Sequence, residues 1–415
     1  MNEEQLATAL ALLEASRSLD PSSPAFLALE RAAAHLYKSA KKKRRLARSR
    51  KAQAEDEALL AATGLAQKRL GQETEPPGEQ PRTLHRQRIC YACKRPYVEL
   101  HCHYPSLCRA CGDRSFAMRE APLDLTGRRA LLTGGRVKVG HATALRMLRA
   151  GAEVHVTTRF PRDAERRYAE ERDASAWRER LHVHGLDFRD LRRLLDALDA
   201  FRKGPSFDIL INNAAQTVWH PPAYYEALHA GEQRTPSPAP ETHDAALLPL
   251  GVSSLSRLDR EREDSWVQSL GQVAPVAMVE VHVVNAIAPF LVCNLLVDNL
   301  ARSPFADRYV VNVTAVEGQF AREDKPVRHP HTNMAKAALN MLTRTSAADL
   351  VTRGIHMVSV DPGWMSSEGK HVSPDVQPAL EAEDCAARVL HPIAAGLGGA
   401  PLHGVLLKDF VEVPW

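Results

Sequence analysis

The sequence predicts an α/β fold built on a doubly wound parallel sheet, preceded by an α-helical segment and a small cysteine-rich module. Three observations predict this order of units. Leucines recur at helical spacing near the N-terminus, five cysteines fall within 22 positions, and short apolar runs alternate with helical stretches from Leu123 onward. Parallel strands that are buried on both faces and joined by helices produce the last of these patterns.

Residues 1–70 are predicted to form the helical segment. Leu6, Leu10 and Leu13 fall on one face of a helix. The Ser-Pro pair at 23–24 is a favourable helix start, because serine caps the helix and proline suits the first helical position. Helix-forming residues then continue to about residue 69.

A basic run lies inside this segment. Residues 38–51 contain nine Lys and Arg residues and no acid, although the net charge of the whole chain is only +4. Such a run can contact nucleic acid, an anionic membrane surface or an acidic partner, and it can also be a solvated helix face. It lies some 40 residues from the cysteines and contains few aromatic residues, which argues against a nucleic-acid partner.

Composition excludes collagen-like, wholly disordered and mucin-like proteins. Hydrophobic residues make up 44% and charged residues 25%, as in ordinary globular proteins. No uninterrupted apolar run approaches the roughly 18 residues of a membrane span, and the acidic N-terminus does not resemble a secretory signal. Seven cysteines are too few for a disulfide scaffold of this length, so we expect a cytoplasmic protein.

A linker at 71–83, rich in Pro and Gly, precedes a zinc-binding module predicted at 84–122. The module has the spacing C-x2-C-x14-C-x2-C, in which two tight turns each supply two thiolates. Four sulfur ligands leave no open position, so the zinc would be structural. The alternative is a set of unliganded cysteines in a reducing compartment, and the role of Cys102 stays open. The predicted zinc ligands are Cys90, Cys93, Cys108 and Cys111.

The remaining residues, 123–415, are predicted to form the sheet domain, and ligands bind such domains at the carboxyl ends of the strands. The turn TGGRVKVG leaves the first strand and opens a helix, where backbone N–H groups can hold a pyrophosphate. Further markers end later strands in order. They are Arg159, Asp187, the Asn-Asn-Ala-Ala stretch at 212–215, and Pro362 with Gly363.

These markers resemble the short-chain dehydrogenase/reductase family, whose Rossmann-type domain has a TGxxxGxG turn, an NNAG strand, a Tyr-x3-Lys pair and a PG turn. The resemblance implies that Asp187 contacts adenine, that Asn285 helps to hold a proton-relay water, and that Lys336 binds the nicotinamide ribose. The implied cofactor-binding residues are Thr133, Gly134, Arg136, Lys138, Val139, Gly140, Thr158, Arg159, Asp187, Asn213, Ala214, Lys336, Pro362 and Gly363.

The residues at the end of the second strand favour NADP(H). NAD enzymes generally place a carboxylate there to bond the ribose 2′-OH, whereas a 2′-phosphate needs an arginine. Here the strand ends with Thr158 and Arg159 and has no acid. Lys138, at the middle glycine of the family turn, and the nearby Arg136 add two cations. The alternative is that Arg159 is an ordinary surface residue.

The chain departs from the family at the two hydroxyl donors of the usual triad. Thr332 stands four residues before Lys336, where the family has its catalytic tyrosine. Ala315 occupies the serine position, with Thr314 beside it. A lysine alone does not protonate a carbonyl oxygen as a phenol does, so the usual mechanism requires a substitute acid.

Two histidines precede Lys336, and imidazole, with a pKa of about 6.5, is a competent general acid. His329 lies seven residues before Lys336, the spacing that enoyl reductases of this superfamily use for their tyrosine. We expect His331 or His329 to donate the proton and Thr314 to polarise the substrate oxygen. Glu317 is a weaker candidate. Alternatively, the two histidines only shape a polar loop.

A second departure is an insertion at about 217–275. Asn213 and Asn285 are 72 positions apart, more than the family commonly needs. Long loops near strand ends are often lids or partner-binding surfaces. Aromatic residues that could line the pocket or supply a phenol are Trp219, Tyr224 and Tyr225.

The sequence therefore predicts an NADP(H)-dependent oxidoreductase that acts on a small carbonyl, imine or activated alkene with a non-standard proton donor. Retention of Lys336, Asn285 and the PG turn supports this hypothesis. A catalytically silent NADP(H) sensor or scaffold is the alternative, favoured by the two missing hydroxyls. The N-terminal helices and the insertion are candidate surfaces for a protein partner, and the resemblance implies a homo-oligomer.

Overall fold

The structure is a computed structural model that describes residues 2–71, 82–216, 222–232, 265–365 and 377–415. The chain divides into two units, residues 1–109 and 110–415. Most of the linker predicted at 71–83 lies outside the described residues, as do Trp219 and most of the insertion predicted at 217–275.

Three helices open the first unit: α1 Glu3–Ala15, α2 Pro24–Ala61 and α3 Gly64–Arg69. Side-chain oxygens cap the first two, since Asn2 accepts the Gln5 N–H at 2.8 Å and Ser23 accepts the Phe26 N–H at 3.2 Å. The basic run lies wholly within α2, and all nine of its Lys and Arg residues are exposed. Such exposure is expected both of a solvated helix face and of a surface that contacts an anionic partner.

An antiparallel hairpin follows, formed by β1 Arg82–Ile89 and β2 Pro96–Leu100. The carboxylate of Asp56 on α2 is buried against it. This carboxylate accepts the backbone N–H groups of His85 at 2.7 Å and of Arg86 at 3.0 Å. Because a buried carboxylate without partners would be unfavourable, these bonds fix the hairpin on α2.

The second unit contains an eight-stranded sheet in the order β10-β9-β8-β7-β6-β3-β4-β5, parallel throughout except that β10 pairs antiparallel with β9. All of its strands except the two at the edges, β5 and β10, consist of mostly buried residues, as expected for a sheet that helices cover on both faces. The prediction of a Rossmann-type doubly wound sheet is confirmed. The strands are β3 Arg129–Thr133, β4 Glu153–Thr158, β5 Leu181–Gly185, β6 Ile209–Asn212, β7 Arg308–Val313, β8 Ile355–Asp361, β9 Leu406–Lys408 and β10 Val411–Val413.

Helices cover both faces of this sheet. Apolar residues of α5 and α12 pack on one face and those of α7, α10 and α11 on the other. The helices are α4 Arg109–Glu120, α5 Lys138–Arg149, α6 Pro161–Ala169, α7 Leu191–Lys203, α8 Pro222–Glu232, α9 Pro275–His282, α10 Ala288–Ala301, α11 Pro330–Thr352 and α12 Ala382–Leu397. A π-helical segment, Val283–Ile287, joins α9 to α10.

The strands that follow β3 in the chain are added first on one side of it and then on the other. Strands β4 and β5 lie on one side of β3, and β6 to β9 lie on the other. The carboxyl ends of β3 and β6 therefore border a crevice, the position where doubly wound sheets bind ligands.

One helical stretch, Pro275–Ala301, is long and apolar enough by length and composition to cross a membrane, with a mean hydropathy of 1.9. However, 56% of its most apolar window is buried inside the unit. Its Val292 and Leu296 belong to the core formed with α7. These contacts are those of a core helix, and they give no evidence of a membrane span.

Candidate functional site

The glycine turn after β3 is closely packed. Gly134 has φ +72°, and a Cβ atom there would lie 2.8 Å from the Cα atom of Ala214. A Cβ atom on Gly140 would lie 2.0 Å from the carbonyl oxygen of Gly134. Only glycine satisfies both positions, so the first turn of α5 approaches the end of β3 without an intervening side chain.

Thr133 and Asn213 fix this turn to the end of β6. The Asn213 amide group donates to the carbonyl oxygens of Thr133 at 3.1 Å and Gly134 at 3.0 Å. The Thr133 hydroxyl oxygen accepts the backbone N–H groups of Asn213 and Ala214, both at 3.0 Å. Both side chains therefore hold the glycine turn in shape.

A cavity of about 290 Å³ opens above the turn. Three of the residues that line it, Phe160, Gln216 and Val284, were not predicted from the sequence. Val284 comes from the far side of the insertion, so nothing local in the sequence indicates its place here. Ten predicted cofactor residues line the cavity: Gly134, Arg136, Lys138, Val139, Gly140, Thr158, Arg159, Asp187, Asn213 and Ala214.

The three predicted cations are not equivalent. The guanidinium of Arg159 lies over the rings of Phe160 and Tyr225, at 5.4 and 5.6 Å from the centroids. Arg136 instead forms an ion pair with Asp163 at 2.6 Å. Burial opposes ionisation of Asp163, but hydrogen bonds from arginines, that of Arg136 included, outweigh it and hold the pKa of this carboxyl well below its ordinary value. Asp163 also pairs with Arg166 and Arg167, both at 2.7 Å, so its single negative charge offsets that of Arg136 only in part.

Lys138 begins α5 with φ +54°, in the left-handed region that favours glycine. A lysine held there is strained by roughly 1 kcal/mol or more. The position places a cation-bearing side chain on the cavity wall, where the family has a glycine.

Asp187, the predicted adenine contact, lies on the cavity wall with its carboxylate held by Arg189. Burial disfavours the charge of Asp187, yet the hydrogen bonds from Arg189 prevail and lower its pKa. Arg189 also reaches the buried Glu280 at 3.2 Å. The carboxylate thus stays ionised and oriented.

Lys336 is buried on α11, and its ammonium group donates to the carbonyl oxygen of Val313 at 2.9 Å. Burial lowers the pKa of Lys336 to about 8. Nearby, the Gly363 N–H donates to Asp361 at 2.9 Å, which fixes the turn formed with Pro362 at the end of β8. These three predicted residues do not line the 290 Å³ cavity.

Asn285 lies in the π-helical segment and is fully buried. Its side chain binds the backbone N–H of Gln216 at 2.7 Å and the backbone carbonyl of the same residue at 3.1 Å. Both functional ends of this amide are therefore used to hold the segment after β6. Short π-helical segments are frequent at functional sites.

Thr314 and the two histidines differ in their partners. The Thr314 hydroxyl is buried and has no hydrogen-bond partner among the described residues. His331 Nε2 bonds to the Ser265 hydroxyl at 3.1 Å, and burial lowers the pKa of His331 to about 4. His329 stacks on Trp266, with ring centroids 4.2 Å apart, and its Nδ1 atom lies 2.7 Å from the Trp266 carbonyl oxygen.

Glu317 is more central than its sequence position suggested. Its carboxylate lies 4.0 Å from Nε2 of His329 and is close enough to Lys336 to oppose the effect of burial on that lysine. A Cβ atom on Gly318 would lie 2.7 Å from the carbonyl carbon and oxygen of Lys336. The turn that carries Glu317 therefore packs directly against α11, a contact between distant segments that the sequence does not reveal.

The four predicted zinc ligands also come together. The sulfur atoms of Cys90, Cys93, Cys108 and Cys111 all lie within 4.8 Å of one another, and those of Cys93 and Cys108 are 3.8 Å apart. Zinc–sulfur bonds of about 2.3 Å in a tetrahedron separate the sulfurs by about 3.8 Å, so this donor set fits Zn²⁺. Cys102 is not a member of the cluster that the described residues form.

Three comparisons with known proteins bear on this site. The sequence profile described as short chain dehydrogenase matches residues 128–228. An uncharacterized protein of Acanthamoeba polyphaga mimivirus is 32% identical over 345 residues, which cover 74% of this chain and 71% of that protein. A probable oxidoreductase of Streptomyces lividans is 42% identical over 92 residues, covering 22% of this chain and 30% of that protein.

Among solved structures, the Pseudomonas aeruginosa RhlG/NADP active-site complex matches with a TM-score of 0.49 and 22% identity, covering 69% of this chain and 95% of that chain. The profile match begins one residue before β3 and contains the glycine turn and the end of β6. Together with the parallel sheet and the cavity at its switch point, the sequence matches show that this chain belongs to the short-chain dehydrogenase/reductase family.

Proposed function

We propose that the protein is an NADP(H)-dependent oxidoreductase that transfers a hydride to or from a small organic carbonyl, imine or activated alkene. The observation that carries the proposal is the cavity, whose lining includes ten of the residues predicted to bind the nucleotide. The similarity to the probable oxidoreductase of Streptomyces lividans supports the same class of reaction.

The residues present fit this cofactor. Gly134 and Gly140 let the N-terminus of α5 pack closely against the end of β3, and backbone N–H groups at a helix N-terminus can hold a pyrophosphate. The preference for NADP(H) rests mainly on Arg159, whose guanidinium makes ring contacts but no ion pair among the described residues. Because Asp163 pairs with Arg136 and offsets part of its charge, we assign that arginine a smaller share.

A bound NADP(H) would supply or accept the hydride. The chain must then position the substrate and move a proton. We assign the Lys336 ammonium, which donates to the Val313 carbonyl, to the ribose hydroxyls, and the buried Thr314 hydroxyl to a substrate oxygen. His329 is the favoured proton donor, since Glu317 lies 4.0 Å from its Nε2 atom. His331 is less suitable, because a pKa of about 4 leaves it neutral at pH 7.

The test uses NADPH carrying deuterium at the transferable C4 position, incubated with the full chain and a metabolite extract. Mass spectrometry detects label in a metabolite, and nucleotide fluorescence in the same tube reports binding. We expect label transfer that Lys336→Ala abolishes and His329→Gln slows. Binding of NADPH without transfer to any of a broad panel of carbonyls, imines and enones would overturn the proposal.

That outcome would support a second candidate, a catalytically silent NADP(H) sensor or scaffold. The specific observation in its favour is that Thr332 and Ala315 occupy the positions of the family's tyrosine and serine. A scaffold needs the nucleotide cavity and does not need a proton donor. Limited proteolysis with and without NADPH would then show whether binding changes the accessibility of other segments.

We also propose a homo-oligomer that pairs through the helices containing Asn285 and Lys336. Large apolar side chains stay exposed on these helices, and pairing of two copies would bury them. They are Val279, Ile287, Phe290, Met334 and Met341. Light scattering of the wild type and of Phe290→Glu tests the pairing, and an unchanged mass for both would contradict it.

The first unit has its own exposed apolar residues. Leu6, Leu10 and Leu13, the predicted stripe on α1, are each more than two-fifths exposed. We propose a protein partner for this stripe and a structural Zn²⁺ for the cysteine cluster. A cytoplasmic location, which keeps thiols reduced, accords with the second of these proposals.

A further inference from the structure

A second group of side chains of the kinds that bind metals lies on two neighbouring strands, outside the lining of the cavity. Glu153 and His155 are on β4, and His182 and His184 are on the neighbouring β5. His155 is directly opposite His182 in the parallel register. Because side chains alternate along a strand, all four project from the same face of the sheet. Glu153 is the first residue of β4, whereas the cavity lining begins only at Thr157, near that strand's carboxyl end.

We infer that Glu153, His155 and His182 form a binding site for a divalent transition metal of the zinc type. The Nε2 atom of His155 lies 2.9 Å from Oε1 of Glu153, and Nε2 of His182 lies 3.2 Å from the same oxygen. All three donor atoms are within 4.8 Å of one another. In a tetrahedral site with bonds of about 2.0–2.1 Å the donors are about 3.4 Å apart, so small side-chain movements suffice.

A further histidine supports this assignment. The Nδ1 atom of His155 lies 2.9 Å from Nε2 of His184, and the two rings are stacked with centroids 5.2 Å apart. A metal-binding imidazole characteristically uses its other nitrogen to donate to such a partner, which fixes the ring's orientation and tautomer. The edges of Phe201 and Phe207 pack against the ring of His155 and hold it further.

The site is open to solvent on one side. The side chain of His155 is only 7% exposed, but those of Glu153 and His182 are 40% and 42% exposed. Two imidazoles and one carboxylate leave at least one position of a tetrahedron for water or an external ligand. Imidazole with carboxylate selects zinc, copper, nickel or cobalt over magnesium or calcium.

Arg129 is the opposing charge at this site. Its Nε atom donates to Oε1 of Glu153 at 2.9 Å, and its guanidinium lies over the ring of Phe207. The bond orients the carboxylate, whereas the positive charge weakens attraction of a cation. We therefore expect the site to bind metal less tightly than the four thiolates of the cysteine cluster.

The experiment titrates the full-length protein with Zn²⁺ by calorimetry, and with Co²⁺ by absorbance. Thiolate ligation of Co²⁺ gives intense near-ultraviolet charge-transfer bands, and nitrogen and oxygen ligation gives only weaker visible bands. We expect one binding event with the nitrogen and oxygen signature, absent in His182→Gln and in Glu153→Gln. His184→Gln should bind about 10- to 100-fold more weakly, since it removes only the supporting partner.

His356→Gln is the matched control, because that histidine lies on β8 and faces Tyr309 and His403. It should bind as the wild type does. Since His182 is partly exposed, its substitution leaves the core intact, and circular dichroism checks the fold. Absence of the event in the wild type, or equal binding by His182→Gln, would overturn the assignment.

Discussion

Asn285 and Gln216 are bonded to each other twice, the Asn285 amide accepting the Gln216 N–H at 2.7 Å and donating to the Gln216 carbonyl at 3.1 Å. This pair joins the π-helical segment to the end of β6. Its geometry gives Asn285 a positioning role, because the whole amide is already used within the chain.

Asn285→Ala should destabilise the second unit by about 2–4 kcal/mol, because it leaves two buried main-chain groups without partners. Asn285→Asp keeps the acceptor but turns a buried carboxylate oxygen toward the Gln216 carbonyl, so it should also destabilise the unit at neutral pH. Urea unfolding measures both. If Asn285→Ala is as stable as the wild type, the two hydrogen bonds between Asn285 and Gln216 do not contribute to stability.

Gly140→Ala should weaken NADPH binding at least tenfold, which corresponds to about 1.4 kcal/mol. The added methyl group would lie 2.0 Å from the Gly134 carbonyl oxygen and would push the turn out of shape. Gly231→Ala is the matched control, since a Cβ atom there meets nothing within 4 Å. Fluorescence titration compares the two, and similar affinities would refute this account of the turn.

Arg159→Asp should weaken NADPH binding about 100-fold and leave NADH within a few-fold, because a charged hydrogen bond to the 2′-phosphate is replaced by repulsion. Arg136→Gln should have a smaller effect, since its charge is paired with Asp163. Dissociation constants for both nucleotides test this. Equal losses for NADPH and NADH would show that the phosphate is read elsewhere.

The affinity for NADPH should fall as the pH rises through about 8. In the proposed role, Lys336 holds the ribose with the positive charge that it carries below that pH, and above it the buried amine is neutral. The phosphates of NADPH do not titrate between pH 8 and 10, so a fall in affinity over that range does not come from them. Lys336→Arg, which keeps its charge, should make the affinity less dependent on pH. If the affinity of the wild type for NADPH does not change between pH 7 and 10, Lys336 does not have this role.

If the cysteine cluster holds the proposed zinc, removing the metal should lower the midpoint temperature of thermal unfolding, because a structural metal stabilises only the folded form. Elemental analysis should show that the double variant Cys90→Ser with Cys108→Ser loses one zinc per chain. Cys385→Ala, at a buried cysteine outside the cluster, should keep it. Equal zinc content in the two variants would rule out the cysteine cluster as a zinc site.

The sequence predicted the parts of the fold that depend on neighbouring residues. The apolar runs gave the parallel strands, and the glycines at 134 and 140 gave the turn, because only glycine fits such close contacts. Contacts between distant segments could not be predicted. The pairing of Arg136 with Asp163 and the approach of Glu317 to His329 depend on how loops meet in space, and no local pattern encodes that.

The metal-ligating group on β4 and β5 could not be predicted from the sequence either. Its histidines appear in the sequence as ordinary strand residues. Only the register that sets His155 opposite His182 brings their rings together, with centroids 4.4 Å apart. A register shifted by one residue would place them on opposite faces of the sheet.

Strands β3 and β6 are neighbours in the sheet although residues 134–208 separate them in the chain. The bonds between Thr133 and Asn213 can form only after β6 has joined β3. Parallel pairing across such a span is slow, because a long loop must close before its contacts contribute. The nucleotide cavity is therefore completed late in folding, and a bound nucleotide can protect the finished unit without guiding its earliest steps.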